Sequence, residues 1–177
     1  MQQFINSNDI NLFGGQFKNR NNSYDDKNEV SKFIKFAETC NDNYFFRPKP
    51  FGKYGVDVGM YTKENELIAI VDIERWRAWN EEWPNYYRYL SFVERKEKYL
   101  RHKQDFALAV FNASLTKLVM VTKENILLYP PVAKYFKNHG KYDYVRQIPF
   151  EFGKLYGANL TDKEKRLFKN HYERELY

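Results

Sequence analysis

The sequence predicts an α/β (α+β) domain, on three observations. A β-hairpin is legible over Lys53–Glu74, KYGVDVGMYTKENELIAIVDIE. Two further apolar strand candidates follow it, and segments with helical apolar spacing open and close the body of the chain. At 177 residues with 43% hydrophobic content, the chain is long enough for one domain with its own core. No internal repeat or long linker divides it, so residues 1–27 are read as an irregular N-terminal arm and 28–177 as a single domain.

The arm is rich in Asn, Asp, Gly and Ser, as in FGGQFKNRNNSYDD. Phe4, Ile5, Leu12, Phe13 and Phe17 are its docking candidates. NEVSKFIKFAETC, residues 28–40, spaces Val30, Phe33, Ile34 and Ala37 as one helix face, with Asp26 or Asn28 as N-cap. Tyr44–Phe46 opens a short strand, and Arg47–Gly52, with two prolines, is a loop. In the hairpin, Val56–Tyr61 is one strand, Thr62–Glu66 the turn and Leu67–Glu74 the other strand. Centring the turn on Glu64-Asn65 places Gly59 opposite Ile70 and Asp57 opposite Asp72.

Beyond the hairpin come three Trp in eight residues, Trp76, Trp79 and Trp83, with core packing as their commoner role and a stacking surface as the other. Asn85–Tyr89 reads as a helical turn and Leu90–Val93 as a strand. ERKEKYLRHK, residues 94–103, is a basic helix candidate. Phe106–Phe111 and Leu118–Val121 form a second hairpin across Asn112–Ser114. Thr122–Tyr129 holds a turn and the run ILLY before Pro130-Pro131. Residues 132–160 are loop-rich with a strand at Tyr142–Ile148. Thr161–Tyr177 is expected to be a closing helix, opened by the capping box formed by Thr161 and Glu164.

Alternation along a strand puts Asp72 and Glu74 on one face, and pairing brings Asp57 to the same face. Like charges placed opposite each other destabilise a sheet. A hard divalent cation with carboxylate ligands is the simplest compensation. The plainer alternative is that Asp57 and Asp72 lie at frayed strand ends, solvated or paired with Arg75 and Arg77. A register slip of one residue would separate the two aspartates.

Composition narrows the remaining classes. The net charge of +6 is compatible with a polyanionic partner without requiring one. Aromatics reach 19%, which either reflects an AT-rich coding sequence or supplies base-stacking surfaces. One cysteine, Cys40, excludes an intramolecular disulfide framework and a cysteine-based zinc site. The first residues lack the basic and apolar regions of a signal peptide, and no apolar run reaches the length of a membrane helix. A cytoplasmic location is therefore expected. There is no P-loop, G-x-G-x-x-G or G-x-S-x-G, and His102, His139 and His171 have no metal-ligand spacing.

Helix, then a hairpin bearing Asp57 and Asp72-Ile73-Glu74, then a further helix and strands: this order resembles the PD-(D/E)xK, or restriction-endonuclease-like, nuclease superfamily. The resemblance spans roughly residues 28–111 and implies a central mixed sheet flanked by helices. The later SFVERKEKYL and FNASLTKLVMV are similar to small phage proteins with this core, which would place the chain in a host cytoplasm. The family motif is Asp on one strand and Asp/Glu-x-Lys on the next. Asp57 and Asp72 match it, whereas Glu74 stands where the family has Lys. Some restriction enzymes carry Glu there and stay active, and a lysine can reach such a site from another element, with Lys96 the candidate.

The resemblance implies Mg²⁺ (or Mn²⁺) held by Asp57, Asp72 and a backbone carbonyl such as that of Ile73. Glu74 would bind a second metal or position water, and Lys96 would stabilise developing charge. Glu38, or Glu29, would be an additional acid from the preceding helix, though a solvated carboxylate is the plainer role for Glu38. Arg75, Arg77, Arg95, Lys98, Arg101 and Lys103 would contact nucleic acid, with DNA the expected partner. A homodimer is a further expectation, because many such nucleases cut both strands as dimers. The competing classes are a non-catalytic nucleic-acid-binding module and a phage protein acting through protein contacts.

Overall fold

The computed structural model describes residues 24–40, 42–137 and 140–176, with side chains from Glu29 onward. The expected arm, residues 1–27, lies outside the described residues up to residue 23. From Tyr24 the chain is already helical, and α1 spans Tyr24–Glu38. Asp26 and Asn28 are therefore inside the helix rather than at its N-cap.

A seven-stranded mixed sheet forms the body. It is built from β1 (Phe45–Pro48), β2 (Val58–Tyr61), β3 (Leu67–Trp76), β5 (Asp105–Asn112), β6 (Lys117–Thr122), β9 (Lys154–Gly157) and β10 (Asn170–Glu173). Its spatial order is β1-β2-β3-β5-β6-β9-β10. The pairs β1–β2, β2–β3, β5–β6 and β6–β9 are antiparallel, whereas β3–β5 and β9–β10 are parallel. A second sheet holds β4 (Leu90–Val93), β8 (Lys141–Ile148) and β7 (Val132–Phe136), all antiparallel. This is the α+β class expected.

Both faces of the large sheet are covered, which is why β3 and β5 read as continuous apolar runs. On one face, Val30, Phe33, Phe36 and Ala37 of α1 pack on Val71, Ile73, Ala109 and Met120. On the other, Trp79, Trp83, Phe92, Tyr99 and Phe168 cover Ile70, Leu108, Val110 and Val119. Trp79 and Trp83 are core residues, as their commoner role predicts. The parallel β3–β5 pair requires a crossover, and residues 77–104 supply it. That stretch carries β4, a 3₁₀ turn at Glu94–Lys96 and the short helix α2 (Glu97–Leu100).

The hairpin has the expected register at its centre. Val58 pairs Val71, Gly59 pairs Ile70 and Met60 pairs Ala69. A bulge between Met60 and Tyr61 then pairs Tyr61 with Leu67. Asn65 turns the chain at φ 65°. Gly59 is required by close approach: a Cβ there would lie 2.8 Å from Leu67 Cδ1 and 2.9 Å from Pro50 Cβ.

Several expectations need correction. Residues 85–89 form a turn rather than a helical segment. The basic segment 94–103 is a 3₁₀ turn plus one helical turn. Thr122 caps α3 (Lys123–Leu127) through Asn125 N. Strands β7 and β9 lie in the stretch read as loop. The closing helix is short: α4 spans Asp162–Leu167 with the expected Thr161/Glu164 capping box, and β10 follows. Phe168 is fully buried against Trp83 and Phe150. That burial draws the chain out of helical geometry so that residues 170–173 pair with β9 instead.

Candidate functional site

Along β3, side chains alternate between the two faces. Ala69, Val71, Ile73 and Arg75 point towards the α1 side, and Ile70, Asp72, Glu74 and Trp76 towards the crossover side. The crossover returns over β3 and sets Lys96 directly above Asp72 and Glu74. The Lys96 ammonium donates to Asp72 Oδ2 and forms an ion pair with Glu74 Oε1. Asp72 and Lys96 are both buried. Trp76 Nε1 donates to Glu74 Oε2 at 2.5 Å.

Asp57 sits one residue before β2, and its N–H donates to Val71 O at 3.1 Å. Val71 is already the partner of Val58, so Asp57 is offset from the expected pairing with Asp72. Its carboxylate turns along the strand end. Oδ2 accepts the Ile73 N–H at 2.8 Å, and Oδ1 accepts Lys49 Nζ at 2.6 Å. Lys49 itself is held through its N–H to Asp57 O, 2.8 Å. The structure thus brings Asp57, Asp72, Glu74 and Lys96 to one corner of the sheet, where three carboxylates meet two ammonium groups.

Burial dominates the titration of Asp72. It raises the pKa from 3.8 to about 6, with Asp57 and Glu74 adding repulsion and Lys96 opposing the rise. Burial pulls the Lys96 ammonium down, but the charges of Glu74 and Asp72 more than offset this and hold its pKa above the usual value. Tyr99, on α2, is pushed up by burial and then by the Asp72 charge.

The donor chemistry of three carboxylates suits a hard divalent ion. The arrangement is already neutralised in part, however. Lys96 lies between Asp72 and Glu74, while Lys49 and the Ile73 N–H hold the two Asp57 oxygens. Among the described residues no three His, Cys, Asp or Glu side chains are gathered closely enough to hold a metal. An ion at this corner would have to compete with Lys96 for Asp72 and Glu74.

The other expected residues divide. Glu38 is exposed at the end of α1, which packs on the opposite face, and its carboxyl is raised by burial and lowered by Lys35. Glu29 pairs with Arg75 at 3.7 Å. Arg75 also donates to Ala113 O through Nε and Nη2, at 2.9 and 2.5 Å, again on the α1 face. Neither Glu38 nor Arg75 joins the carboxylate corner. Arg77 is exposed just beyond β3 and Lys103 just beyond α2. Arg95, Lys98 and Arg101 line an open cleft of about 570 Å³ with Tyr144. Glu97 anchors that region by accepting from Arg146 Nε at 2.6 Å and Nη2 at 3.1 Å.

Sequence reasoning missed Lys49, whose contact with Asp57 exists only once the loop folds back. It also missed a second cleft, of about 450 Å³, which opens from Glu74 and Trp76 between the 86–89 turn and the small sheet. The run Tyr86-Tyr87-Arg88-Tyr89 was the available signal for it. No helix among the described residues is long and apolar enough to cross a membrane. No protein-family model, curated protein or solved structure matches the chain.

Proposed function

We propose that the protein is a metal-dependent nuclease of the restriction-endonuclease-like kind, hydrolysing phosphodiester bonds in DNA at the Asp57/Asp72/Glu74/Lys96 corner. The observation that carries this reading is the position of Lys96. The chain lacks a lysine two residues after Asp72, yet an ammonium from the crossover reaches the same two carboxylates. The order of α1, the acidic hairpin, a crossover and the parallel strand β5 supports the same family. A buried acid with a raised pKa, Asp72, in company with other charged groups beside a cleft is the environment in which catalytic groups cluster.

To hold Mg²⁺ or Mn²⁺, Asp57, Asp72 and Glu74 would have to draw together on the ion and give up Lys96. A bound ion there would supply Lewis-acid polarisation of the scissile phosphate and a more acidic water. Glu74, the carboxylate of the three that lines the 450 Å³ cleft, orients the attacking water and accepts its proton. Lys96, released from Asp72 or Glu74, offers its ammonium to the developing negative charge on phosphate oxygen. Arg95, Lys98 and Arg101 position the backbone without reading sequence.

A cleavage assay tests this on plasmid, linear duplex, branched and single-stranded DNA, and RNA, in Mg²⁺, Mn²⁺ or EDTA, with wild type beside Asp72→Ala. Metal-dependent cutting that vanishes in the variant is the expected result. A divalent-metal rise in melting temperature that needs Asp57 and Asp72 is the expected binding readout. The competition between Lys96 and any ion for Asp72 and Glu74 favours one alternative, a non-catalytic nucleic-acid-binding module. Salt-sensitive binding with no cutting under either metal would select it.

A further inference from the structure

Resting on the nuclease reading, we propose that the cleft beside Glu74 seats an unpaired base, so that the strand delivered to the carboxylates is single-stranded. The cleft measures about 450 Å³, within the range of small-ligand sites, roughly 300–1,000 Å³. Its walls are aromatic and its charged groups few. Trp76, Tyr86, Tyr87 and Tyr89 line it together with Arg88 and Lys134, and Glu74 is its acidic member. The Trp76 and Tyr87 rings meet edge-to-face at 5.1 Å, and Tyr86 meets Tyr87 at 5.0 Å.

Two observations point to a base as the occupant. First, the rings are left open. Tyr86 is 68% exposed and Tyr89 41%, although burying them would favour folding. Successive aromatic faces beside a cationic rim are the platform on which single strands stack, because every base has a π-face. A duplex keeps its bases stacked internally and presents phosphates, for which a row of Lys and Arg would be the complement.

Second, the cleft is joined to the chemistry. The Trp76 indole that forms part of its wall donates to Glu74 Oε2, and Glu74 shares Lys96 with Asp72. A base stacked in the cleft therefore has its own backbone next to the carboxylate corner. Arg88 and Lys134 complement the adjoining phosphates.

The test is fluorescence anisotropy in EDTA and low salt, with fluorescein-labelled oligothymidylate, oligouridylate and a DNA duplex. Wild type is compared with Tyr86→Ala/Tyr89→Ala and with Asp72→Ala. Both tyrosines are exposed, and a melting curve checks that the double variant keeps its fold. The expected result is preference for the single strand, quenching of tryptophan fluorescence on binding, and roughly tenfold or greater loss of single-strand affinity in the tyrosine variant. Duplex affinity should be unchanged by that variant, and single-strand binding should survive in Asp72→Ala. Equal affinity for duplex and single strand, or no effect of the tyrosine changes, overturns the cleft assignment even if wild type cuts DNA. Single-strand binding without cleavage of any substrate keeps the cleft and removes the nuclease reading. No binding to any of the three probes overturns the proposal, and a dimer that the tyrosine variant dissociates would assign the aromatic surface to a second copy of the chain.

Discussion

Replacing Asp72 by asparagine should separate stability from activity. The side chain is buried, and its pKa in the folded protein is about 6 against 3.8 for the free group. A gap of about two units, at about 1.4 kcal/mol each, means that keeping this carboxylate ionised costs the fold about 3 kcal/mol. The sign follows from proton binding. Because the folded state holds the proton more tightly, stability falls as pH rises from about 4 through about 6 and is flat above that range. Asparagine mimics the neutral carboxyl and keeps an acceptor for Lys96. In EDTA, the variant should therefore melt higher than wild type above pH 6, by about 2–4 °C per kcal/mol recovered at this chain length. Its advantage should shrink as pH falls towards 4. Cleavage should be lost at every pH. A variant that melts lower than wild type across the whole range would refute the reasoning, because it would make the Asp72–Lys96 contact a net structural ion pair.

Lys96→Met should have the opposite effect, leaving Asp72 and Glu74 without their shared cation and destabilising the fold by about 3–5 kcal/mol in urea titration. Adding Asp72→Asn to it should restore much of that loss, since the two residues act as one network. Glu164→Leu should also cost about 3–5 kcal/mol by stranding the buried Lys117 ammonium, while cleavage per folded molecule stays at the wild-type level. Gly59→Ala should lower the urea midpoint, by about 1–3 kcal/mol of stability, because its methyl group would overlap Leu67 and Pro50.

The hairpin was legible because its information is local. A polar turn between two apolar runs fixes the centre, and the centre fixes which residues oppose, as Gly59 with Ile70 shows. The two buried strands after it were equally plain. What the sequence does not display is the partner of each segment. Thr161 and Glu164 announce a helix start, but its end depends on Phe168 finding Trp83 and Phe150, and on Lys154–Gly157 offering a strand edge. Helical periodicity alone extends the helix to the terminus. The same holds at the site. Asp72 and Glu74 follow from strand alternation, whereas the offset of Asp57, its contact with Lys49, and the cleft walls contributed by the small sheet depend on how distant segments fold back. Glu38 and Arg75 lie apart from the corner for a definite reason: α1 and the odd-numbered positions of β3 belong to the other face.

Two clusters of buried charge in this fold differ in a way that bears on function. Lys117 and Glu164 form a closed pair. Glu164 Oε1 accepts from Trp79 at 2.8 Å, and Oε2 accepts from Lys117 at 2.8 Å and the Thr161 N–H at 3.0 Å. Lys117 also donates to Glu81 O. One charge meets one charge, each carboxylate oxygen has a donor, and the pair pins the start of α4 to β6. At the sheet corner, three carboxylates share two ammonium groups, and Glu74 opens onto a cleft. A fold needing only an anchor would be served by the first arrangement, and an uncharged residue at position 72 would relieve the second. An unbalanced, costly cluster is expected where a further positive group must be received. Its excess negative charge suits a cation and opposes a bare phosphate, so a nucleic acid would approach this corner with a metal ion or with Lys96 turned towards it.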